Sequence, residues 1–134
     1  MTQIILPGLQ YRRLWFCLGL VIALLIAATS LVPARDLPNI GLSDKIEHGI
    51  SYALLAFWFG SVIVRRDFPG LVVTLVAFGG LIELAQGWMH LGRHADLSDL
   101  AADMAGIAVG LALALTPLGR WAHLIESGFR RMRA

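Results

Sequence analysis

The chain has one cysteine and one lysine, and only 15% of its 134 residues are charged. A lone cysteine, Cys17, excludes an internal disulfide and, set within an apolar run, reads as a small buried hydrophobe. Low charge beside 57% hydrophobic residues excludes a disordered chain, which needs the opposite balance, and leaves too little polar surface to cover a water-soluble fold. The other ten basic residues are arginines scattered between apolar runs, so no basic stripe exists for nucleic acid. A zinc-protease His-Glu-x-x-His, a Gly-x-Ser-x-Gly nucleophile turn and a phosphate-cradling glycine loop are all missing, as are internal repeats.

What the chain does have is apolar length, with a mean hydropathy of +0.73. Between Arg13 and Arg35 lie 21 uncharged residues, enough for a first span. The competing reading is a signal peptide, whose apolar region is usually about 7–15 residues. Three further runs follow, broken near Pro69-Gly70 and ending near Pro117, where proline interrupts helices. The expectation is an all-α membrane protein: one domain, 1–134, forming a four-transmembrane-helix bundle with helices over about 14–33, 44–64, 70–89 and 97–118. The tail, 120–134, reads as a short basic amphipathic helix at the interface or as an unstructured basic end.

Four spans place both termini and the middle loop on one side. That side carries Arg12, Arg13, Arg65, Arg66, Arg120, Arg130, Arg131 and Arg133, against Arg35, Lys45 and Arg93 on the other, so the termini are expected in the cytoplasm. Tyr11, Trp15, Trp88 and Trp121 fit aromatic belts, and Trp58 fits packing within a span.

The acids sort the other way. Asp36, Asp44, Glu47, Glu83, Asp96, Asp99 and Asp103 fall in or beside the two outer loops, with His48, His90 and His94, leaving Asp67 and Glu126 inside. Helical spacing groups Asp44, His48, Ser51 and Tyr52 on one face, Gly79, Glu83, Gln86 and His90 on another, and Asp96, Asp99, Asp103, Gly106 and Gly110 on a third. At a rise of ~1.5 Å per residue, His48 lies roughly 7 Å in, and Glu83 and Asp103 about 10 Å. Ionisable groups at such depth mark a functional site or a structural polar lock. The plainer readings are helix-start acids at Asp44, Glu47 and Asp96, an Asp99–Arg93 or Lys45–acid pair, and loop positions for His90 and His94.

Asp44-Lys45-x-x-His48-x-x-x-Tyr52, then Glu83-x-x-Gln86, then Arg93-x-x-Asp96-x-x-Asp99-x-x-x-Asp103-x-x-Gly106 resembles the VanZ-like family of small bacterial integral membrane proteins. The likeness spans residues 44–106 and the four-helix layout, and departs at Asp103, where the family more often has asparagine. It implies a multi-pass protein of the bacterial cytoplasmic membrane, in a family named for an accessory protein of glycopeptide (teicoplanin) resistance whose biochemical activity is poorly defined.

The expected role is to bind a membrane lipid or lipid-linked envelope precursor in an outward-facing pocket. Its polar head would meet Asp44, Lys45, His48, Tyr52, Glu83, Gln86, Arg93, Asp96, Asp99 and Asp103: carboxylates, amide and phenol for sugar hydroxyls, Lys45 and Arg93 for phosphate. An alternative is acid/base catalysis on such a lipid, with His48 or Glu83 as base and Asp99 or Asp103 as its partner. No cofactor is expected. If a divalent cation does bind, Glu83, Asp99 and Asp103 are its ligands, and oxygen donors favour Mg²⁺, Ca²⁺ or Mn²⁺ over zinc. A third alternative is a structural or assembly partner using Gly106-x-x-x-Gly110 as a helix-contact seam.

Overall fold

A computed structural model of the chain describes residues 5, 6, 8–33, 41–89 and 96–132. These form five helices: α1 (Arg12–Ser30), α2 (Asp44–Gly60), α3 (Phe68–Met89), α4 (Leu97–Ala114) and α5 (Trp121–Met132). Short 3₁₀ turns at Arg65–Asp67 and Pro117–Arg120 lead into α3 and α5. No strand occurs among the described residues; the nearest to one is an isolated antiparallel bridge between Ile5 and Ile63.

Among the described residues, three helical segments are long and apolar enough to cross a membrane: Arg12–Ser30, Arg65–Met89 and Leu97–Ala114. The expected fourth, α2, has 17 residues and places Asp44, Lys45 and Glu47 in its first turn. The apolar letters that extend it in sequence, Val62 to Val64, are used elsewhere. The Val62 carbonyl accepts a 2.8 Å hydrogen bond from the Leu6 amide, and Val62 packs with Leu9 and Ala122. α4 likewise stops at Ala114 rather than near 118, because the Thr116 hydroxyl accepts from the Leu118 amide at 3.2 Å and Pro117 starts a new turn.

α2 and α4 form the centre. Gly106 and Gly110 lie directly against the backbone of α2, at the Gly49 and Ala53 carbonyls, where any Cβ would overlap an oxygen. Small residues at such a crossing let helices pack by van der Waals contact where lipid offers no hydrophobic driving force. Tyr52, Leu55, Ala56 and Phe59 of α2, with Leu75 and Ile107, fill the core beside this seam. α1 attaches through Gly19, whose missing side chain admits the rings of Phe59 and Trp58. Only Gly19 of α1 is buried, so Cys17 is exposed on its outward face, contrary to the buried position expected of it.

Burial is inverted relative to a water-soluble protein. Leu24, Val73, Leu84 and Leu97 are exposed, while His48, Glu83, Gln86, Asp99 and Asp103 are buried. A surface of this kind is compatible with a lipid surround.

At the opposite end, α5 docks onto the start of α1. Ala122 and Glu126 are fully buried, and the Glu126 carboxylate accepts from the Gln10 amide (2.6 Å), the Tyr11 amide (2.9 Å) and the Trp15 indole (2.8 Å). The tail is thus a folded element. Trp15 and Trp121 pack edge-on with ring centroids 5.1 Å apart, and Trp58 lies against both. Trp88 alone of the four tryptophans is largely exposed, at 84%.

Candidate functional site

The polar residues gather where α2 and α4 begin and α3 ends. At the start of α4, Asp96 is the N-cap and accepts from the Ser98 amide at 2.8 Å, satisfying an orphan donor of the first turn. Those bonds to Ser98, together with the Lys45 ammonium, hold the Asp96 carboxyl down at about 2. Lys45 bridges Asp96 at 3.2 Å and Asp99 at 3.3 Å, linking the first turns of α2 and α4.

One turn further along α4, Asp103 is completely buried and its Oδ1 lies 2.9 Å from His48 Nδ1. The glycine seam makes this possible, because Gly106 brings the α4 backbone onto Gly49, next to His48. The other imidazole nitrogen, Nε2, faces Glu83 Oε1 at 3.9 Å. Glu83 Oε2 accepts from the Asp96 amide at 2.9 Å, which ties the end of α3 to the cap of α4. Asp44 is exposed, yet it lies close to His48 and Asp99, with one ligand atom from each of the three within 4.8 Å of the others.

Three buried polar atoms in this layer lack a hydrogen-bond partner: Tyr52 Oη, Glu83 Oε1 and Asp103 Oδ2. Gly79 explains how two of them coexist. A Cβ there would come within 2.5 Å of Asp103 Oδ2 and 3.0 Å of Tyr52 Oη, so the missing side chain leaves room where both atoms point. An unpaired buried polar atom costs about 1–3 kcal/mol, and three together are a large expense for a small bundle.

Of the ten residues expected at the site, Asp44, Lys45, His48, Glu83, Asp96, Asp99 and Asp103 form one connected cluster, and Tyr52 adjoins it through Gly79. Gln86 is buried but turned to a different task, donating to the Ser30 carbonyl at 2.8 Å and so holding the end of α1. Arg93, His90 and His94 lie outside the described residues, and with them the expected Asp99–Arg93 pair. The N-cap of α2 is Ser43, so Asp44 occupies the first helical position rather than the cap.

An apolar groove of about 510 Å³ runs between α3 and α4, lined by Ala77, Gly80, Leu81, Leu84, Leu97 and Leu100, with Glu83 and Asp96 also in its wall. No sequence period announced it.

Compared with protein-family models, curated proteins and solved structures, the chain matches none.

Proposed function

We propose that this is a VanZ-like membrane protein that binds the polar head of a lipid, or of a lipid-linked envelope precursor, between α2, α3 and α4. The observation that carries the reading is an apolar groove whose wall includes Glu83, a buried carboxylate with one unpartnered oxygen. An acyl or prenyl chain suits Leu81, Leu84, Leu97 and Leu100, and a hydroxyl-bearing headgroup supplies the donor that Glu83 Oε1 lacks.

The topology we infer is four spans with both termini in the cytoplasm of a bacterial cell. The contacts of Glu126 with Gln10 and Tyr11 support it, because they hold the start of α1 and the helix α5 at one end of the bundle. Ends on the same side require an even number of crossings. Three segments qualify by length and composition, and we take α2 as the fourth. Its 17 residues cover ~25 Å, short of a hydrocarbon core of about 30 Å, and a polar first turn then lies at the membrane surface. Arg12, Arg13, Arg65, Arg66, Arg120, Arg130 and Arg131 cluster in the segments at the α5 end, as a cytoplasmic face requires.

The test is lipid mass spectrometry of the protein purified in mild detergent. A defined lipid class should co-purify with the parent and be depleted in Glu83→Gln and in Leu84→Trp, which fills the groove. Equal, nonselective lipid content in all three would rule the reading out. Reporter fusions after residues 67 and 132 should both read cytoplasmic, and glycopeptide susceptibility should change in cells carrying Glu83→Ala if the family role extends to this chain.

A second reading, acid/base chemistry on the same lipid, is favoured by one feature. His48 lies between two carboxylates, with Asp103 on Nδ1 and Glu83 toward Nε2, the arrangement in which a histidine takes and returns a proton. Turnover of a polyprenyl-linked substrate by the purified parent, abolished in His48→Gln, is its measurement.

A further inference from the structure

A second, larger groove of about 810 Å³ lies between α1 and α3. The two helices run in the same direction: the Ile5–Ile63 bridge joins the segments that lead into them, and Gln86 donates to the Ser30 carbonyl at 2.8 Å near their ends. Between those ties α1 leans on α2, through Gly19 against Phe59 and Trp58, and a trough is left along 16–24 of α1 and 70–78 of α3. Phe16, Leu20 and Leu24 recur along one wall and Gly70, Thr74 and Phe78 along the other, so the trough follows both helices for about 12 Å. A hydrocarbon core is about 30 Å thick, so this is close to the depth of one leaflet.

The wall is apolar along its length, and the Thr74 hydroxyl is already spent on the Gly70 carbonyl at 2.8 Å. Among the described residues, charge enters it at Arg66 and Asp67, in the 3₁₀ turn that opens α3. Asp67 Oδ1 lies 3.9 Å from Arg66 Nε, whereas Oδ2 is shielded from water and accepts no hydrogen bond. A shielded carboxylate oxygen is costly until a donor reaches it. Arg66 is exposed and carries five N–H donors, so it can grip a phosphate oxygen while keeping the contacts it already makes. At the turn before α3, then, an anion-binding and a cation-binding side chain stand next to each other at the head of a leaflet-deep apolar trough.

We propose that this groove holds one glycerophospholipid with an ammonium-bearing headgroup, of the phosphatidylethanolamine kind, its phosphate on Arg66, its ammonium on Asp67 and an acyl chain in the trough. The pair of side chains mirrors the zwitterion, and the ammonium N–H is the donor that Asp67 Oδ2 is missing. A choline headgroup carries the same charges but no N–H, and a glycerol headgroup has donors but no positive charge for the carboxylate. Lipid held merely as a solvent layer would not distinguish the three. The site is separate from the α3–α4 groove and does not depend on what that groove binds.

The experiment is native mass spectrometry of the delipidated full chain in detergent, titrated with phosphatidylethanolamine, phosphatidylcholine and phosphatidylglycerol of identical acyl chains, with melting temperature as the check on folding. The parent should bind one phosphatidylethanolamine saturably and prefer it about tenfold over phosphatidylcholine, the worth of a charge-assisted hydrogen bond. Asp67→Asn should erase that preference. Arg66→Gln should weaken the ethanolamine and choline lipids alike, about fivefold, because both carry the phosphate. Gly70→Leu, whose first added carbon would meet nothing within 4 Å, puts bulk in the groove wall without displacing the bundle and should reduce binding of all three. Equal binding of the ethanolamine and choline lipids by the folded parent, a preference that survives Asp67→Asn, indifference to Gly70→Leu, or phosphatidylglycerol ahead of phosphatidylethanolamine would each overturn the proposal. The residues that test the α3–α4 groove, Glu83 and Leu84, lie outside this one, so either lipid reading can fail while the other stands.

Discussion

The Trp15 indole donates to Glu126 Oε1 at 2.8 Å, joining the first helix to the last across 111 positions of chain. The same carboxylate accepts two backbone amides at the start of α1, where a helix has donors and no partners of its own. Negative charge at that terminus also suits the helix dipole. Glu126→Ala strands three donors at once and should cost about 3–5 kcal/mol, whereas Glu126→Gln keeps one acceptor and should cost about 1–2 kcal/mol. Thermal unfolding in detergent, followed by the fluorescence of the Trp15, Trp58 and Trp121 cluster, reads both.

The same clamp makes stability depend on acid. Burial pushes the Glu126 carboxyl upward, but the donors on Gln10, Tyr11 and Trp15 outweigh it and hold the group below the ordinary carboxylate value of 4.5. A group depressed on folding contributes fully above its unfolded value and loses that contribution as pH falls through the folded one. The parent should therefore keep its melting temperature above about pH 5 and lose it steeply below about pH 4, while Glu126→Gln should melt lower at neutral pH with a flatter acid limb. A parallel fall in both would show that other carboxylates dominate.

The glycine seam can be tested by adding one methyl group. Gly106→Ala drives a carbon into the Gly49 carbonyl, and Gly110→Ala does the same at Ala53. Each should destabilise by about 1–3 kcal/mol as the helices are forced apart. Gly80→Ala and Gly128→Ala meet open space and should be neutral or slightly stabilising. Melting temperatures of the four variants in one detergent give the comparison.

His48 and Asp103 should behave as a unit. Measured singly, His48→Gln and Asp103→Asn each disturb a buried 2.9 Å contact, and the double variant should cost less than their sum by about 1–2 kcal/mol. Strict additivity would mean that the two side chains are held independently by their helices.

Much of the site was legible because helices repeat. Asp99, Asp103, Gly106 and Gly110 share a face by spacing alone, and all four are buried on it. His48 and Tyr52, one turn apart, are buried together in the same manner. What periodicity cannot express is contact between distant segments. Glu126 reads as an ordinary cytoplasmic acid because its partners lie more than 110 positions away. That Trp15 and Trp121 touch is likewise invisible until α5 folds back onto α1. The extent of α2 was overread for a related reason, since hydropathy does not distinguish Val62 in a helix from Val62 paired with Leu6. Gln86 shows the same limit, its partner being a carbonyl, which no side-chain pattern encodes.

The α2–α4 seam also has a bearing on how the bundle is made. Helices are synthesised in chain order, and His48 waits for a partner 55 positions downstream. Until α4 arrives, the imidazole of α2 and the Glu83 carboxylate of α3 have neither Asp103 nor the Asp96 amide to bond, and α2 has no glycine surface to lie on. The arrival of α4 therefore completes the bundle: a chain arrested before it leaves the imidazole, the Glu83 carboxylate and the backbone of α2 without the surfaces they match.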